Sequence, residues 1–250
     1  YTYCLARVQN DRGLNLSDIE GQRRANAQAI IGHLEEAVEA GADSVQLVSG
    51  PRPQQEALRP QALAALATSL AEIAEAAAHI GALRIGIEPL DFFAHKRHSL
   101  GSSAEAAAIC AQLRRQGQRV ELCLDTAHML LNGESPAAAL ALCRPFVFEL
   151  HLCNCVTEPG HPLYGDRHLP FGAPGRIDAV AAAALLAAAV ADGFLNDRDR
   201  PTLQCEVLNT RGERPEVMIA EARRFLYATW ALADAKLQGG AGEPRRQETK

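Results

Sequence analysis

"VELCLDTAHMLLNGESP", residues 120–136, sets a buried-looking run against an acid and an imidazole. Val120 to Leu124 reads as a short apolar strand that stops at Asp125. His128 follows three residues later, ahead of the turn signals Asn132-Gly133 and Ser135-Pro136. Side chains on a strand alternate between faces, so Leu122 and Leu124 oppose Cys123 and Asp125. One face is apolar, and the other finishes on a carboxylate.

Three other apolar runs repeat this phase. In "RIGIE" (84–88), Ile85 and Ile87 oppose Gly86 and Glu88. In "FELH" (148–151), Phe148 and Leu150 oppose Glu149 and His151. In "LQCE" (203–206), Leu203 and Cys205 oppose Gln204 and Glu206. Each run ends on a possible metal ligand, two residues after a small or polar one. The apolar face suits packing against helices.

Between the runs lie long Ala/Leu/Glu-rich segments. Strands are expected at "TYCLARV" (2–8), "SVQLVS" (44–49), "RIGIEPL" (84–90), "VELCLD" (120–125), "FVFELHL" (146–152) and "TLQCEVL" (202–208). Helices are expected near 17–40, 54–80, 102–116, 135–143, 177–192 and 214–235, with stops at Gly41, Gly81, Gly117 and Gly193. Alternating strands and helices imply an α/β fold of βαβ units around a parallel sheet, with right-handed crossovers. Six strands are visible, and an eight-stranded α/β barrel needs two more. The chain opens inside a strand without Met, so the first one or two βα units are expected to be missing. Residues 1–236 read as one barrel domain. The Gly/Pro-rich, charged stretch 237–250 reads as a disordered tail.

The 250 residues carry 48% hydrophobic and 22% charged side chains, the balance of a soluble globular protein. A formal net charge of −5 gives no general attraction to nucleic acid or to an anionic membrane. No run of apolar residues resembles a membrane span, and no signal peptide is visible. The seven cysteines are scattered without a CxxC pair, which fits reduced thiols in a cytoplasmic protein.

In a barrel the polar phase points inward, and the C-terminal strand ends share one rim, where such barrels keep their active sites. Glu88, Asp125, His151 and Glu206 then converge. Three carboxylates in a dry pocket repel one another unless protonated or neutralised by a cation. With one imidazole they suit a divalent ion. Mn²⁺ or Mg²⁺ fits this oxygen-rich set best, with Co²⁺ or Zn²⁺ as alternatives. Glu149 and Gln204 are expected to orient the ligands from below.

The stretch 153–178 reads as a long loop, of a length that is often functional. It carries Asp166, Arg167 and His168. These are expected to contact hydroxyls of a polar substrate. An Asp–Arg brace for the loop, or a second metal held by Asp166 and His168 with His128, are the alternatives. "DFFAHKRHSL" (91–100) follows Glu88 on the same rim; Asp91 or Phe92 could form a pocket wall, and Lys96 and Arg97 make it locally basic. His33, His79 and His161 read as structural or surface residues.

Taken in order, "GIEPL", "LDTAHMLLNGE", "ELHLCN", "GDRHLPFGAPGRID" and "QCEVL" resemble the xylose isomerase-like TIM barrel superfamily, in its sugar phosphate isomerase/epimerase branch. The resemblance runs from about Ser44 to Leu208 and implies a (β/α)8 TIM barrel. It implies metal binding by Glu88, Asp125, His151 and Glu206, and places His128 toward substrate or a second metal. It also implies an isomerase or epimerase of a sugar or related polyol. In that reading Glu88 and Glu206 are the catalytic base and acid and proton transfer passes through a metal-stabilised enediolate. A lyase or dehydratase on the same site is the main rival, and a non-catalytic sugar-binding barrel is a weaker one. Endonuclease-IV-like members use three metals and further His on earlier strands; "LARVQ" and "QLVSG" have none, which argues against a nuclease. Barrels of this branch often associate, so a homo-oligomer is a further expectation, although no contact face stands out.

Overall fold

The structure, a computed structural model, describes residues 1–81, 83–209 and 212–240. In chain order the elements are β1 (Thr2–Cys4), α1 (Ala6–Arg12), α2 (Arg23–Ile31), α3 (Leu34–Glu39), β2 (Ser44–Val48), α4 (Arg59–Ile80), β3 (Arg84–Glu88) and α5 (Ser103–Arg115). There follow β4 (Val120–Asp125), α6 (Thr126–Leu131), α7 (Pro136–Cys143), β5 (Val147–Val156), β6 (Gly165–Leu169), α8 (Ala179–Ala191), β7 (Thr202–Glu206) and α9 (Pro215–Gly240).

Parallel pairing runs β1-β2-β3-β4-β5-β7, and β6 folds back antiparallel on the far end of β5. The six parallel strands form a curled sheet of an α/β barrel, with β1 and β7 as its unpaired edges among the described residues. The curl brings opposite strands together: the Thr2 hydroxyl on β1 donates to Glu149 Oε2 on β5 at 2.6 Å. Ile85, Ile87, Leu122, Leu124 and Leu150 are buried on the outer face, where they join Leu66, Leu70, Ile73 and Leu113 of α4 and α5 in one core. Burial of this kind contributes about 25 cal/mol for each Å² of apolar surface removed from water. Residues 56–80 have the length and composition to cross a membrane. Their apolar stripe of Leu66, Leu70 and Ile73 is instead used in the core.

Several expected boundaries move. The first strand is only Thr2–Cys4; Ala6 to Arg12, assigned to it in part, is helical. The expected helix 17–40 splits into α2 and α3, interrupted at Gly32-His33. The expected loop 153–178 begins as strand, because β5 runs on to Val156 and pairs with β6. Helix α9 continues through Gly240, into the stretch 237–250 expected to be disordered; residues 241–250 lie outside the described residues.

Phe148 corrects the face assignment made from strand alternation. Leu122 pairs with Val147, but Cys123 pairs with Glu149, so β5 carries an extra residue at Phe148. Such a bulge breaks the two-residue period. Phe148 thereby turns toward the face of Gly86 rather than the outer face: a Cβ on Gly86 would meet its Cε1 at 2.5 Å and its Cζ at 2.8 Å. Gly86 is what lets the ring fill the barrel interior beneath the strand ends. Gly86→Ala is expected to destabilise the fold by about 1–3 kcal/mol through overpacking. A urea denaturation midpoint equal to that of the parent chain would contradict this.

Candidate metal centre

Each side chain of the candidate site sits at the end of an element that fixes it. Glu88 closes β3 and is buried. Gln46 on the neighbouring β2 donates its amide to Glu88 Oε2, which leaves Oε1 facing the centre. Asp125 closes β4 and caps α6: its Oδ1 accepts from the backbone N–H of Ala127 at 2.7 Å and of His128 at 3.2 Å. Its other oxygen, Oδ2, is buried with no hydrogen-bond partner. Thr126 ties α6 to β5 by donating to the carbonyl of Cys153 and accepting from its N–H, at 2.7 and 2.8 Å.

His151 lies at the hub. Its Nδ1 is 2.9 Å from Glu206 Oε2, 3.9 Å from Glu88 Oε1 and 4.0 Å from Asp125 Oδ2. Its Nε2 is 3.2 Å from Glu149 Oε1, and the Gln204 amide closes on the same nitrogen. Glu149 holds Nε2, so once Nδ1 gives up its proton an Nε2–H donated to Glu149 leaves the Nδ1 lone pair for the centre. Ligand atoms of Glu88, Asp125, His151 and Glu206 all lie within 4.8 Å of one another. The four residues singled out from strand phase are thus together.

The charges show what a cation would neutralise among them. Burial, opposed by His128 and His151, raises Glu88 from its ordinary 4.5 to about 7. Burial likewise raises Asp125 from 3.8 to about 6, against the pull of His128. Burial also works on Glu206, yet the His151 and His168 rings outweigh it and hold that carboxyl below its ordinary range. Below about pH 7 the three carboxyls are not all ionised in the metal-free protein. An unpartnered buried oxygen on Asp125 and a set of three carboxylates and one imidazole fit a hard or borderline divalent ion.

His128, on α6, reaches over this cluster. Its Nε2 is 4.0 Å from Glu88 Oε1 and 4.0 Å from Asp166 Oδ2; its Nδ1 is 3.5 Å from Asp91 Oδ2. Burial would discharge this ring, but Asp91 and the carboxylates of Asp125, Asp166 and Glu88 prevail and lift it to about 10. Asp91 itself falls to about 2 despite its burial, because the His128 ring and the N–H groups of His95 and Lys96 point at it.

Asp166 and His168 also join the site. His168 Nε2 is 3.1 Å from Asp166 Oδ2, and its Nδ1 is 3.4 Å from Glu206 Oε1. With the Cys153 thiol they make a second close group of donor atoms. The backbone at His168 is left-handed, with φ 48°, a conformation costing roughly 1–3 kcal/mol away from glycine. Arg167 is not brought in: it is exposed between two residues whose side chains face the cluster, and it makes no hydrogen bond or ion pair among the described residues. It borders, with Lys96, His168 and Leu163, a cavity of about 420 Å³ beside the centre.

Three contributors were not read as such from sequence. Gln46 is a lone amide inside an apolar strand, aligned with Gly86 of the next strand; that isolation was its signal. Lys96 was read only as loop charge, but its Nζ is 3.3 Å from Asp166 Oδ2. Asp91, read as pocket wall, is instead the buried partner of His128. His98 is structural, accepting from the Gly50 N–H at 3.2 Å, and burial lowers it to about 4.

Comparison with known proteins agrees with this architecture. No curated protein matches the chain. Among solved structures, an L-ribulose 3-epimerase is similar with a TM-score of 0.68 at 19% identity, over 92% of this chain and 76% of that one. A D-psicose 3-epimerase, in the presence of D-fructose, is similar with a TM-score of 0.64 at 18% identity, over 88% and 74% of the two chains. The IOLI protein with a binding zinc atom is similar with a TM-score of 0.61 at 18% identity, over 89% and 72%. This chain therefore spans about three quarters of the length of these structures. The model of the xylose isomerase-like TIM barrel family matches residues 3–228, nearly the whole described chain. The chain belongs to the xylose isomerase-like TIM barrel family.

Proposed function

We propose that this protein is a divalent-metal-dependent isomerase or epimerase of a small sugar or related polyol. The observation that carries the reading is the meeting of Glu88, Asp125, His151 and Glu206 at the ends of four strands. The names of two similar structures, an L-ribulose and a D-psicose 3-epimerase, support the same chemistry. Mn²⁺ or Mg²⁺ is the preferred ion for the donor set, and the zinc named with the IOLI protein keeps Zn²⁺ in play.

An ion held by these four residues supplies a Lewis acid that polarises a carbonyl and acidifies the adjacent C–H. The chain's own residues do the rest. Glu206 takes the proton from carbon and Glu88 returns one. Return to the opposite face of the same carbon gives an epimer, and to the neighbouring carbon an isomer. His128, charged and anchored by Asp91, stabilises negative charge growing on the substrate oxygens. Asp166 and His168 hold hydroxyls. The cavity of about 420 Å³ beside the centre accommodates the rest of a small substrate.

The test is incubation of Mn²⁺-loaded protein with a panel of ketoses in D₂O. One deuterium on carbon next to the carbonyl, in an isomer of unchanged skeleton, is the expected product. Loss of water in place of exchange would make the protein a lyase.

A further inference from the structure

The opposite mouth of the barrel holds a second charged site. We propose that a cavity of about 600 Å³ at the N-terminal ends of β3, β4, β5 and β7 binds a phosphate monoester dianion.

Four arginines line it: Arg84, the first residue of β3, Arg119 just before β4, Arg144 before β5, and Arg198 in the turn leading to β7. Only two carboxylates, Glu121 and Asp199, face them there. Two positive charges are left over, in a chain whose overall charge is −5. Their distribution is informative. Glu121 is shared: its Oε2 is 2.9 Å from Arg84 Nε, and its Oε1 is 3.0 Å from Arg119 Nη2. One carboxylate between two guanidinium groups neutralises one and leaves the forks of both partly unused. Arg198 has only a loose contact, 3.9 Å, with Asp199.

Arg144 makes no hydrogen bond or ion pair among the described residues. Its guanidinium lies beside Gly193. Its Nη2 lies 3.0 Å from where a Cβ on Gly193 would sit, and Gly193 has a φ of 71° at the end of α8. A side chain there would be strained by the backbone and would crowd the guanidinium. Arg84 is also fixed, lying over the Phe148 ring at 5.1 Å.

Planar guanidinium forks match tetrahedral oxyanions in pairs, and a phosphate monoester carries close to two negative charges at neutral pH. The surplus of two positive charges matches that ligand. The cavity lies outside the metal centre, at the other ends of the same strands: Arg84 and Glu88 bound β3, and Glu121 and Asp125 share one face of β4. Phe148 stands between the two mouths.

The shared chemistry is a phosphate monoester, free or carried on a sugar or nucleoside. Calorimetric titration of the full chain at low salt with inorganic phosphate, ribose 5-phosphate and AMP distinguishes these sources by which binds most tightly. Saturable binding of at least one is expected. The double variant Arg119→Ala/Arg144→Ala should weaken it at least tenfold, and the charge reversal Arg144→Glu should abolish it. Arg223→Ala, on the exposed side of α9, and Asp125→Asn, at the metal centre, should leave it within twofold. Absence of saturable binding by all three ligands overturns the proposal. So does undiminished affinity in both arginine variants, or loss of binding in Asp125→Asn alone, which would assign the phosphate to the metal centre.

Discussion

Glu88→Gln is expected to lower turnover by more than about a thousandfold while leaving the fold intact. The substitution keeps the volume of the side chain and its contact with Gln46, and removes one negative charge that no other residue replaces. Both roles assigned to Glu88, ligand and proton carrier, depend on that charge. Removal of a group that acts in the transition state lowers kcat and kcat/KM together. Glu206→Gln should do the same. Its side chain is 40% exposed and its loss disturbs packing less, so it is the cleaner test of chemistry. Glu149→Gln separates holding from reacting. Glu149 touches His151 only through Nε2, so its loss should weaken the ion by about 10–100-fold, the usual effect of a residue behind a ligand. Saturating Mn²⁺ should then restore much of the rate, which it cannot do for Glu88→Gln. Near-normal kcat in both Glu88→Gln and Glu206→Gln would reject the acid–base assignment.

Metal affinity should climb steeply with pH. A ligand must shed its proton to bind, so each proton displaced gives about a tenfold rise in affinity per pH unit. Glu88 titrates at about 7 and Asp125 at about 6 in the metal-free protein. His151 stays protonated well above the ordinary imidazole value: burial opposes its charge, but Cys123, Glu149 and Glu206 overcome that. Between pH 6 and 7 about two protons are displaced, and the expected slope is on the order of a hundredfold per unit.

Stability should move the other way. Glu88 and Asp125 have native values above their unfolded 4.5 and 3.8, so they favour the fold below those values. That contribution is lost as pH rises through about 6 and 7, on the order of 3 kcal/mol for each group. Melting curves with Mn²⁺ and with a chelator should therefore separate increasingly from pH 5 to 8. A constant separation would mean that these carboxyls do not give up protons to the ion.

The sequence made much of this site legible because strand alternation is a rigid rule. Four candidate ligands in one phase at four strand ends need no side-chain packing to be seen. The rule failed where the backbone departed from it. The bulge in β5 put Phe148 inside, and no residue type in "FVFELHL" announces a bulge. The β5–β6 pair was hidden because "CNCV" is neither apolar enough nor patterned enough to read as strand, and its partner carries charges. Asp166 and His168 fall inside the cluster because they alternate with Arg167, which the same alternation turns outward. Asp91 could not be paired with His128 from sequence, since their meeting depends on where the loop after β3 lies relative to α6. Tertiary contacts of this kind are set by packing rather than by period.

The central claim is that Glu88, Asp125, His151 and Glu206 share one ion. Crystals grown or soaked with Mn²⁺ and measured for anomalous scattering test it directly. The expected result is one strong peak at roughly 2.0–2.3 Å from a carboxylate oxygen of each acid and from His151 Nδ1. A peak held by Cys153, Asp166 and His168 alone, or none near the strand ends, would contradict it.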